Sequence, residues 1–230
     1  PRSIADPVEC TEVNITGTLN MLVAARDAGV RRFVFASSSS VYGNSPELPK
    51  KETMLPDPLS PYAVSKRAGE LYCKVFWEIY GLQTVALRYF NVFGPRQDPN
   101  SQYSAVIPKF ISRLLQGKRP QIYGDGEQSR DFTHVSNVIE ANYQATLSPN
   151  IEGKVFNIAG GRQITLNQLA AQLKELLQSP VDVEYTAPRP GDVLHSFADI
   201  SLAWQMMEYQ ARMSFEEGLR RTVQWYTPAD

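Results

Sequence analysis

The chain has 230 residues, of which 43% are hydrophobic and 20% charged, a balance typical of folded globular proteins that excludes collagen-like, coiled-coil and disordered classes. Its 23 basic and 24 acidic residues leave a formal net charge of −1, so we expect no nucleic acid and no anionic membrane surface among its partners. The sequence has no CxxC or HExxH motif, so we expect no metal. It also has no signal-peptide pattern and no apolar run near the ~18 residues that a membrane span requires, so we expect a cytoplasmic protein.

The first part of the chain alternates helical patterns with short apolar runs. Apolar residues recur at three- and four-residue spacing over 8–28 and predict a helix. A buried strand is predicted at 33–36 and another at 84–87. Between them, Ser60-Pro61 supplies a capping side chain and a proline suited to the first helical turn, which predicts a helix over about 62–80. This alternation predicts an α/β fold with a doubly wound parallel sheet.

Beyond residue 95 the predicted elements are shorter and of mixed type. They are helices at 106–115, 137–147 and 165–177, strands at 121–123, 132–134, 154–158 and 182–186, and two helices near the carboxyl end. Such a mixture is typical of a smaller α+β lobe.

Tyr62 and Lys66 lie four residues apart and therefore share one face of the predicted helix. Tyr62 falls in the first turn, where the positive end of the helix dipole favours a phenolate, and the Lys66 ammonium acts in the same direction. Lowering a tyrosine pKa from about 10 to near 7 requires roughly 4 kcal/mol, which we expect the Lys66 cation, the helix dipole and a bound cationic cofactor to supply together. With that pKa, Tyr62 would be a general base at neutral pH.

A run of four serines, Ser37 to Ser40, follows the first predicted strand. Ligands of open α/β sheets gather at the carboxyl ends of the strands. Alone, the run is equally consistent with an ordinary serine-rich turn. Beside the Tyr62–Lys66 helix, a hydroxyl that hydrogen-bonds a reacting alcohol is the favoured interpretation.

Four segments follow one another in the order and spacing of a known family. They are Ser37-Ser38-Ser39-Ser40-Val41-Tyr42-Gly43, Ser60-Pro61-Tyr62-Ala63-Val64-Ser65-Lys66, Arg88-Tyr89-Phe90-Asn91-Val92-Phe93-Gly94-Pro95 and Ser129-Arg130-Asp131-Phe132. Together they resemble the extended short-chain dehydrogenase/reductases that act on nucleotide sugars. The resemblance implies that 1–95 is the carboxyl-terminal half of an NAD-binding Rossmann domain with an incomplete doubly wound sheet. Residues 96–230 would be mainly a substrate-binding lobe, with some segments returning to the Rossmann sheet.

The resemblance also assigns roles to individual residues. Tyr62 would be the catalytic base, Lys66 would hold the nicotinamide ribose and lower the tyrosine pKa, and Ser38 would hydrogen-bond the sugar hydroxyl. NAD, the implied cofactor, would contact Tyr62, Lys66 and Tyr89. The residues implied for binding a UDP-sugar are Ser38, Ser39, Ser40, Asn91, Ala105, Val106, Arg130, Arg189, Asp192 and Ser196. Arginine suits diphosphate recognition, although Arg130 is also consistent with a structural ion pair.

Within this family, dehydratases and decarboxylases place acidic residues before the Val-Tyr-Gly segment, where this chain has Ser39 and Ser40. In such enzymes, removal of a hydride from C4 of the sugar forms a 4-keto sugar. Without that acid, the 4-keto sugar is expected to take the hydride back on its other face, which inverts C4. The chain is most similar to bacterial UDP-N-acetylglucosamine 4-epimerases, which would place it in surface polysaccharide biosynthesis. A small Ser196 at the pocket-gating position would leave room for an N-acetyl group. UDP-glucose/galactose and UDP-uronic acids remain alternative substrates.

The chain departs from the family in one respect, because its 230 residues contain no glycine-rich dinucleotide fingerprint. We therefore interpret it as amino-terminally truncated and expect it to bind NAD poorly alone, with an unpaired apolar edge at 33–36. A non-catalytic sugar-nucleotide-binding module is the alternative. The family also implies a homodimer through the helices near 8–28 and 62–80.

Overall fold

The computed structural model describes residues 2–99, 106–188 and 194–227. The chain divides into two compact units, and each gathers segments from three parts of the sequence. The first unit comprises Pro1–Phe90, Val138–Ile158 and Ala198–Gln210. The second comprises Asn91–Asn137, Ala159–Phe197 and Ala211–Asp230.

The described helices and strands follow the predicted order. The helices are α1 (Arg2–Ala5), α2 (Pro7–Thr11), α3 (Gly17–Asp27), α4 (Pro61–Tyr80), α5 (Val106–Leu115), α6 (Val135–Leu147), α7 (Leu166–Leu176), α8 (Ser201–Met207) and α9 (Phe215–Tyr226). The strands are β1 (Arg32–Ser38), β2 (Gln83–Tyr89), β3 (Val92–Phe93), β4 (Gln121–Tyr123), β5 (Ser129–Asp131), β6 (Thr133–His134), β7 (Lys154–Ile158), β8 (Gln163–Thr165) and β9 (Glu184–Thr186). A π turn (Glu12–Thr16) joins α2 to α3, and a 3₁₀ turn (Ser39–Tyr42) follows β1.

The first unit is built on a parallel sheet of strand order β1-β2-β7. Ser38 pairs with Tyr89, and Tyr89 pairs with Ile158, so all three strands end at one edge of the sheet. Among the described strands, β1 has a neighbour on one side only. The predicted α/β class with parallel strands is confirmed, and the strand at 154–158 returns to the sheet of the first part of the chain.

Helix α4 shows how local sequence positions the first unit's polar residues. The Ser60 side chain accepts a hydrogen bond from the Ala63 N–H at the amino end, and Gly81, at φ 71°, ends the helix in the left-handed conformation. A methyl group on Gly69 would lie 2.3 Å from the Phe35 ring, so this glycine permits α4 to approach β1 closely. The helix is therefore fixed in both length and distance from the sheet.

The helix predicted at 8–28 is interrupted by the π turn. This turn inserts an extra residue into the hydrogen-bonding repeat, which changes the side of the helix that later residues occupy. Apolar residues of α3, the arm after the turn, still reach the core. The cluster that α3, α4 and the sheet bury is Leu22, Ala25, Phe35, Cys73, Phe76, Leu82 and Ala86.

The second unit has its own core beneath three small two-stranded sheets, β3-β6, β4-β9 and β5-β8. Its helices α5, α7 and α9 contribute most of the buried side chains, which are Phe93, Ile107, Phe110, Ile111, Leu114, Ile122, Phe132, Ile164, Leu166, Leu169, Ala170, Leu173, Phe215, Leu219 and Val223. Within the described ranges, every helix is too short or too polar to cross a membrane.

Candidate active site

The serines of the first unit lie where β1 ends. Ser38 is the last residue of the strand, and its extended backbone, with ψ at 146°, makes it the cap of the following 3₁₀ turn. The Ser38 Oγ accepts hydrogen bonds from the Ser40 backbone N–H at 3.2 Å and from the Ser40 hydroxyl at 2.8 Å. Ser39 is half-buried in the same turn. The turn thus gathers three hydroxyl groups at the ligand-binding edge of a parallel sheet.

Tyr62 lies in the first turn of α4, and the nearby Ser38 hydroxyl acts to lower the pKa of its phenol. The pKa of Tyr62 is nevertheless raised above its ordinary value, because partial burial disfavours the phenolate more than the Ser38 hydroxyl favours it. The neighbouring Cys10 adds to the increase when the thiol is ionised. Without the cofactor, desolvation therefore outweighs the local attraction, and the lowered pKa expected for Tyr62 with a bound cationic cofactor stays a prediction.

Lys66 lies one helical turn from Tyr62, with its Nζ 5.6 Å from the centre of the tyrosine ring. Its ammonium donates a hydrogen bond to the Ala36 carbonyl oxygen at 3.0 Å. Burial lowers the lysine pKa. An ammonium has three N–H donors, so this contact leaves donors for the two hydroxyls of a ribose.

Tyr89 completes the first unit's set at the end of β2, opposite Ser38 in register. Its hydroxyl donates to the Asn142 Oδ1 at 3.0 Å, which fixes the ring. A phenol, an ammonium and an aromatic ring at one sheet edge suit the nicotinamide end of a dinucleotide. The residues present thus fit that end of NAD, whereas the 230 residues hold no glycine-rich loop for its diphosphate.

The second unit holds the remaining described candidates. The Asn91 Nδ2 donates to the Asp131 carbonyl oxygen at 3.1 Å and to the Ser196 Oγ at 3.4 Å, so two residues implied for sugar-nucleotide binding are in contact. Asn91 has φ at 34°, an uncommon conformation for a residue other than glycine. Val106 begins α5 and is half-buried.

Arg130 lies in the middle of β5. Its Nη1 donates to the carbonyl oxygens of Ser129 at 2.9 Å and Leu194 at 3.1 Å. These bonds hold the guanidinium near the segment that carries Ser196. Three further candidates, Ala105, Arg189 and Asp192, lie outside the described residues.

Sequence reasoning missed a buried charged group behind the serine turn. Glu70 accepts hydrogen bonds from the Arg88 Nε at 2.7 Å, the Arg88 Nη2 at 2.8 Å and the Ser37 hydroxyl at 2.6 Å. Two signals were available: Glu70 follows Lys66 by one turn on the same helix face, and Arg88 extends an apolar strand. Both residues are only 2% exposed.

A second missed group connects the amino-terminal helices to α4. The Asn14 Nδ2, within the π turn, donates to the Ser65 Oγ at 3.2 Å and to the Cys10 Sγ at 3.4 Å. Ser65 in turn donates to the Tyr62 carbonyl oxygen at 2.7 Å. No local sequence signal predicts a π turn, so this contact was not accessible from the pattern.

The chain is similar in sequence and in structure to known proteins. Residues 1–159 match the NAD dependent epimerase/dehydratase family. The chain is similar in structure to the UDP-N-acetylglucosamine 4-epimerase from Methanobrevibacter ruminantium in complex with UDP-N-acetylmuramic acid, with a TM-score of 0.94, 47% identity, and coverage of 99% of this chain and 73% of that one. It is also similar to the UDP-glucose 4-epimerase of Thermotoga maritima with UDP-glucose, with a TM-score of 0.93, 38% identity, and coverage of 98% and 72%. A UDP-glucuronate 4-epimerase of Thermodesulfobacterium geofontis is 38% identical over 225 residues, 97% of this chain and 68% of that protein.

Proposed function

Since this chain belongs to the NAD-dependent epimerase/dehydratase family and is a nucleotide-sugar 4-epimerase, we propose that it interconverts UDP-N-acetylglucosamine and UDP-N-acetylgalactosamine. The inversion passes through a 4-keto sugar. The observation that carries the proposal is that Tyr62 lies one helical turn from the Lys66 ammonium, with the Ser38 hydroxyl near its phenol and two further serines in the same turn as Ser38.

NAD, when bound, supplies the hydride acceptor and donor for C4 of the sugar. The chain's own residues manage the proton. Tyr62 removes the proton of the sugar 4-hydroxyl and returns it to the 4-oxygen after the sugar turns over. Ser38, whose hydroxyl lies near the phenol, orients the reacting oxygen. Lys66 holds a ribose and, as a cation beside the ring, favours the phenolate.

The side chains around Ser38 favour inversion over elimination. Ser40 hydrogen-bonds Ser38, and Ser39 stands between them in the same turn. Hydroxyl groups orient a sugar but do not remove a carbon-bound proton at neutral pH, which a dehydratase requires of its extra acid or base. The 4-keto sugar is therefore left with return of the hydride as its outcome.

The acetamido preference rests on Ser196 and on the similarity to a UDP-N-acetylglucosamine 4-epimerase at 47% identity. Ser196 is half-buried, and its Oγ is 3.4 Å from the Asn91 Nδ2. A serine at this position occupies much less volume than a bulky residue such as tyrosine. The space gained suits an N-acetyl group.

A UDP-uronic acid is the second candidate substrate. The serine turn of Ser38 to Ser40 offers hydrogen-bond donors that suit a carboxylate as well as a hydroxyl. The similarity to a UDP-glucuronate 4-epimerase supports this alternative. A direct assay decides between the two substrate classes.

The test is turnover of UDP-N-acetylglucosamine, UDP-glucose and UDP-glucuronate by the protein with added NAD. We expect the acetamido sugar to have the highest kcat/KM. Preferred turnover of UDP-glucuronate would move the assignment to the uronic acid. Binding of UDP-sugars without turnover of any would favour a non-catalytic module.

A substitution at Ser196 tests the specificity argument within one protein. Ser196→Tyr should lower kcat/KM for the acetamido sugar by tenfold or more, since overfilling a site by several heavy atoms costs about 1–3 kcal/mol, and should spare UDP-glucose. Ser201→Tyr places the same side chain at an exposed serine and is the control. Equal losses for both sugars would contradict the gating role.

We also propose a homodimer through the amino-terminal helices and α4. These helices leave large apolar side chains exposed, including Val64 at 48%, Leu71 at 48% and Ile79 at 69% on α4. Val8, Val13 and Met21 add to the exposed apolar area. Apolar patches of this kind are typical of isologous interfaces.

Sedimentation velocity tests the dimer. Leu71→Glu should give a monomer, because each of the two subunits would then bury an unpaired carboxylate in the interface. Ile139→Glu alters a more exposed residue of α6, at 63% exposure, and should leave the dimer intact. A wild-type monomer at micromolar concentration would refute the proposal.

A further inference from the structure

Behind the serine turn, Glu70 is the centre of a buried polar group with no part in the chemistry described above. Its side chain is fully buried and accepts bonds from three donors: Arg88, Ser37 and, at 2.9 Å, the Arg67 Nη1. Burial acts to raise the Glu70 pKa, but the hydrogen bonds and charge of Arg88, aided by Ser37 and Arg67, outweigh it and hold the pKa below its usual value. Glu70 is therefore a carboxylate at neutral pH.

Each partner in this group is a direct neighbour of a proposed site residue. Ser37 precedes Ser38 on β1, and Arg88 precedes Tyr89 on β2. Glu70 follows Lys66 by one turn of α4. One carboxylate thus connects the ends of two strands to the helix that carries Tyr62.

The group continues from Arg88 to the far side of the serine turn. The Arg88 guanidinium carbon lies 4.6 Å from the centre of the Tyr42 ring. The Tyr42 hydroxyl donates to the Asn157 Oδ1 at 2.7 Å on β7. Both ends of the turn that bears Ser39 and Ser40 are consequently held, one by Ser37 and the other by Tyr42.

Stability alone does not explain why charges occupy this place. The free energy lost in desolvating a buried ion pair is about as large as the free energy gained from the attraction between its charges. Apolar side chains of the same shape often give a protein of equal stability. What the pair supplies is direction, because a bidentate arginine–carboxylate contact and a hydroxyl bond fix the orientation of the groups they join. That orientation is imposed where β1 and β2 end.

We propose that Glu70, acting through Ser37 and Arg88, is the positioning group that holds the Ser38 hydroxyl against the Tyr62 phenol. The proposal rests on the epimerase function argued above, in which that contact orients the reacting oxygen. When the Ser37–Glu70 bond is lost, the end of β1 can shift relative to α4. Near-attack geometry is sensitive to such shifts, since a displacement of ~1 Å is enough to reduce rates greatly.

The chain offers a matched pair of variants for the test. Ser37→Ala removes a buried hydroxyl that bonds α4 at 2.6 Å beside the proposed site. Thr84→Val removes a buried hydroxyl that bonds the Cys73 carbonyl of the same helix, also at 2.6 Å, near the opposite end of the sheet. Each change deletes one strand-to-helix hydrogen bond, so a merely structural role predicts equal effects.

With NAD added to the protein, we expect Ser37→Ala to lower kcat about tenfold with KM for the UDP-sugar within twofold of wild type. Thr84→Val should keep kcat within twofold of wild type at a similar loss of thermal stability. Equal kcat for the two variants would overturn the proposal.

The second readout is the titration of the Tyr62 phenol, followed by NMR of ¹³C-labelled tyrosine and assigned with Tyr62→Phe. The groups that face this phenol are Ser38 at the end of β1, Cys10 from α2 and Lys66 on its own helix. The Ser38 hydroxyl acts to lower the tyrosine pKa, so its displacement in Ser37→Ala should move the midpoint to higher pH. An unchanged midpoint would contradict the proposal even if no UDP-sugar were turned over, and absence of turnover by wild type would instead refute the proposed function.

A second pair of variants covers the case in which Ser37→Ala does not fold. Glu70→Gln keeps the shape of the side chain and should reduce kcat at least as strongly as Ser37→Ala. Glu152→Gln breaks the largely buried Arg32–Glu152 pair at 2.5 Å, near the amino ends of the strands, and should reduce stability with kcat unchanged. A loss of kcat in Glu152→Gln equal to that in Glu70→Gln would overturn the proposal.

Discussion

Replacing Arg88 by Met tests the buried ion pair of the first unit between Arg88 and Glu70. The Arg88 side chain is 2% exposed, and its Nε and Nη2 lie 2.7 and 2.8 Å from the two oxygens of a fully buried Glu70. Methionine keeps the chain length but leaves the carboxylate with only Ser37 and Arg67. Removing one partner of a buried pair costs about 3–5 kcal/mol, a large share of the roughly 5–15 kcal/mol that stabilises a domain.

The pH dependence identifies the cause of that loss. In wild type the Glu70 pKa lies below its ordinary value of 4.5, so its contribution to stability is present above that value and is lost as pH falls through the folded-state pKa. In Arg88→Met, burial is no longer offset by Arg88 and the Glu70 pKa should rise above 4.5. The variant then gains relative stability as pH falls, and the stability difference from wild type narrows.

Urea unfolding from pH 8 to pH 4, followed by circular dichroism, measures this difference. Glu78→Gln is the control, since the Lys74–Glu78 pair on the same helix is exposed at 59% and 55% and should contribute under about 0.5 kcal/mol. The double variant Arg88→Met with Glu70→Met should lose less than the sum of its parts, because no charge is left buried. A loss in Arg88→Met that does not change with pH, or a strictly additive double variant, would refute the reasoning.

Three further predictions concern single sites. Tyr62→Phe should lower epimerase turnover by about 10²–10⁴-fold with an unchanged urea midpoint, and turnover near the wild-type rate would exclude Tyr62 as the base. Thr165→Ala should destabilise the second unit by about 1 kcal/mol, measured by urea unfolding, because the Thr165 and Gln168 side chains form a reciprocal capping box at α7. Cys73 should resist thiol reagents at neutral pH until the protein unfolds, because burial raises its pKa to about 12; its rapid labelling in the folded protein would contradict the packing of α4.

The sequence alone determined the features that depend on neighbours within a few residues. Ser60 and Pro61 predicted the start of α4, and the predicted strands at 33–36 and 84–87 lie within β1 and β2. The pairing of Tyr62 with Lys66 follows from helical spacing alone, since four residues make one turn. Local hydrogen bonding and periodicity are sufficient for such features.

Only the tertiary structure decided which distant residues meet. The Ser37–Glu70 and Glu70–Arg88 contacts span 33 and 18 residues, and the Asn91–Ser196 contact spans 105. These contacts depend on strand register and on the distance between helix and sheet, which no local pattern encodes.

The pKa of Tyr62 likewise depends partly on nearby residues in the sequence and partly on the tertiary structure. The sequence places Lys66 and the helix dipole near the phenol, and both act to lower its pKa. The folded protein partly buries the phenol, and this burial raises the pKa. Desolvation depends on everything that packs around a group, so the balance between these opposing effects was set by the fold.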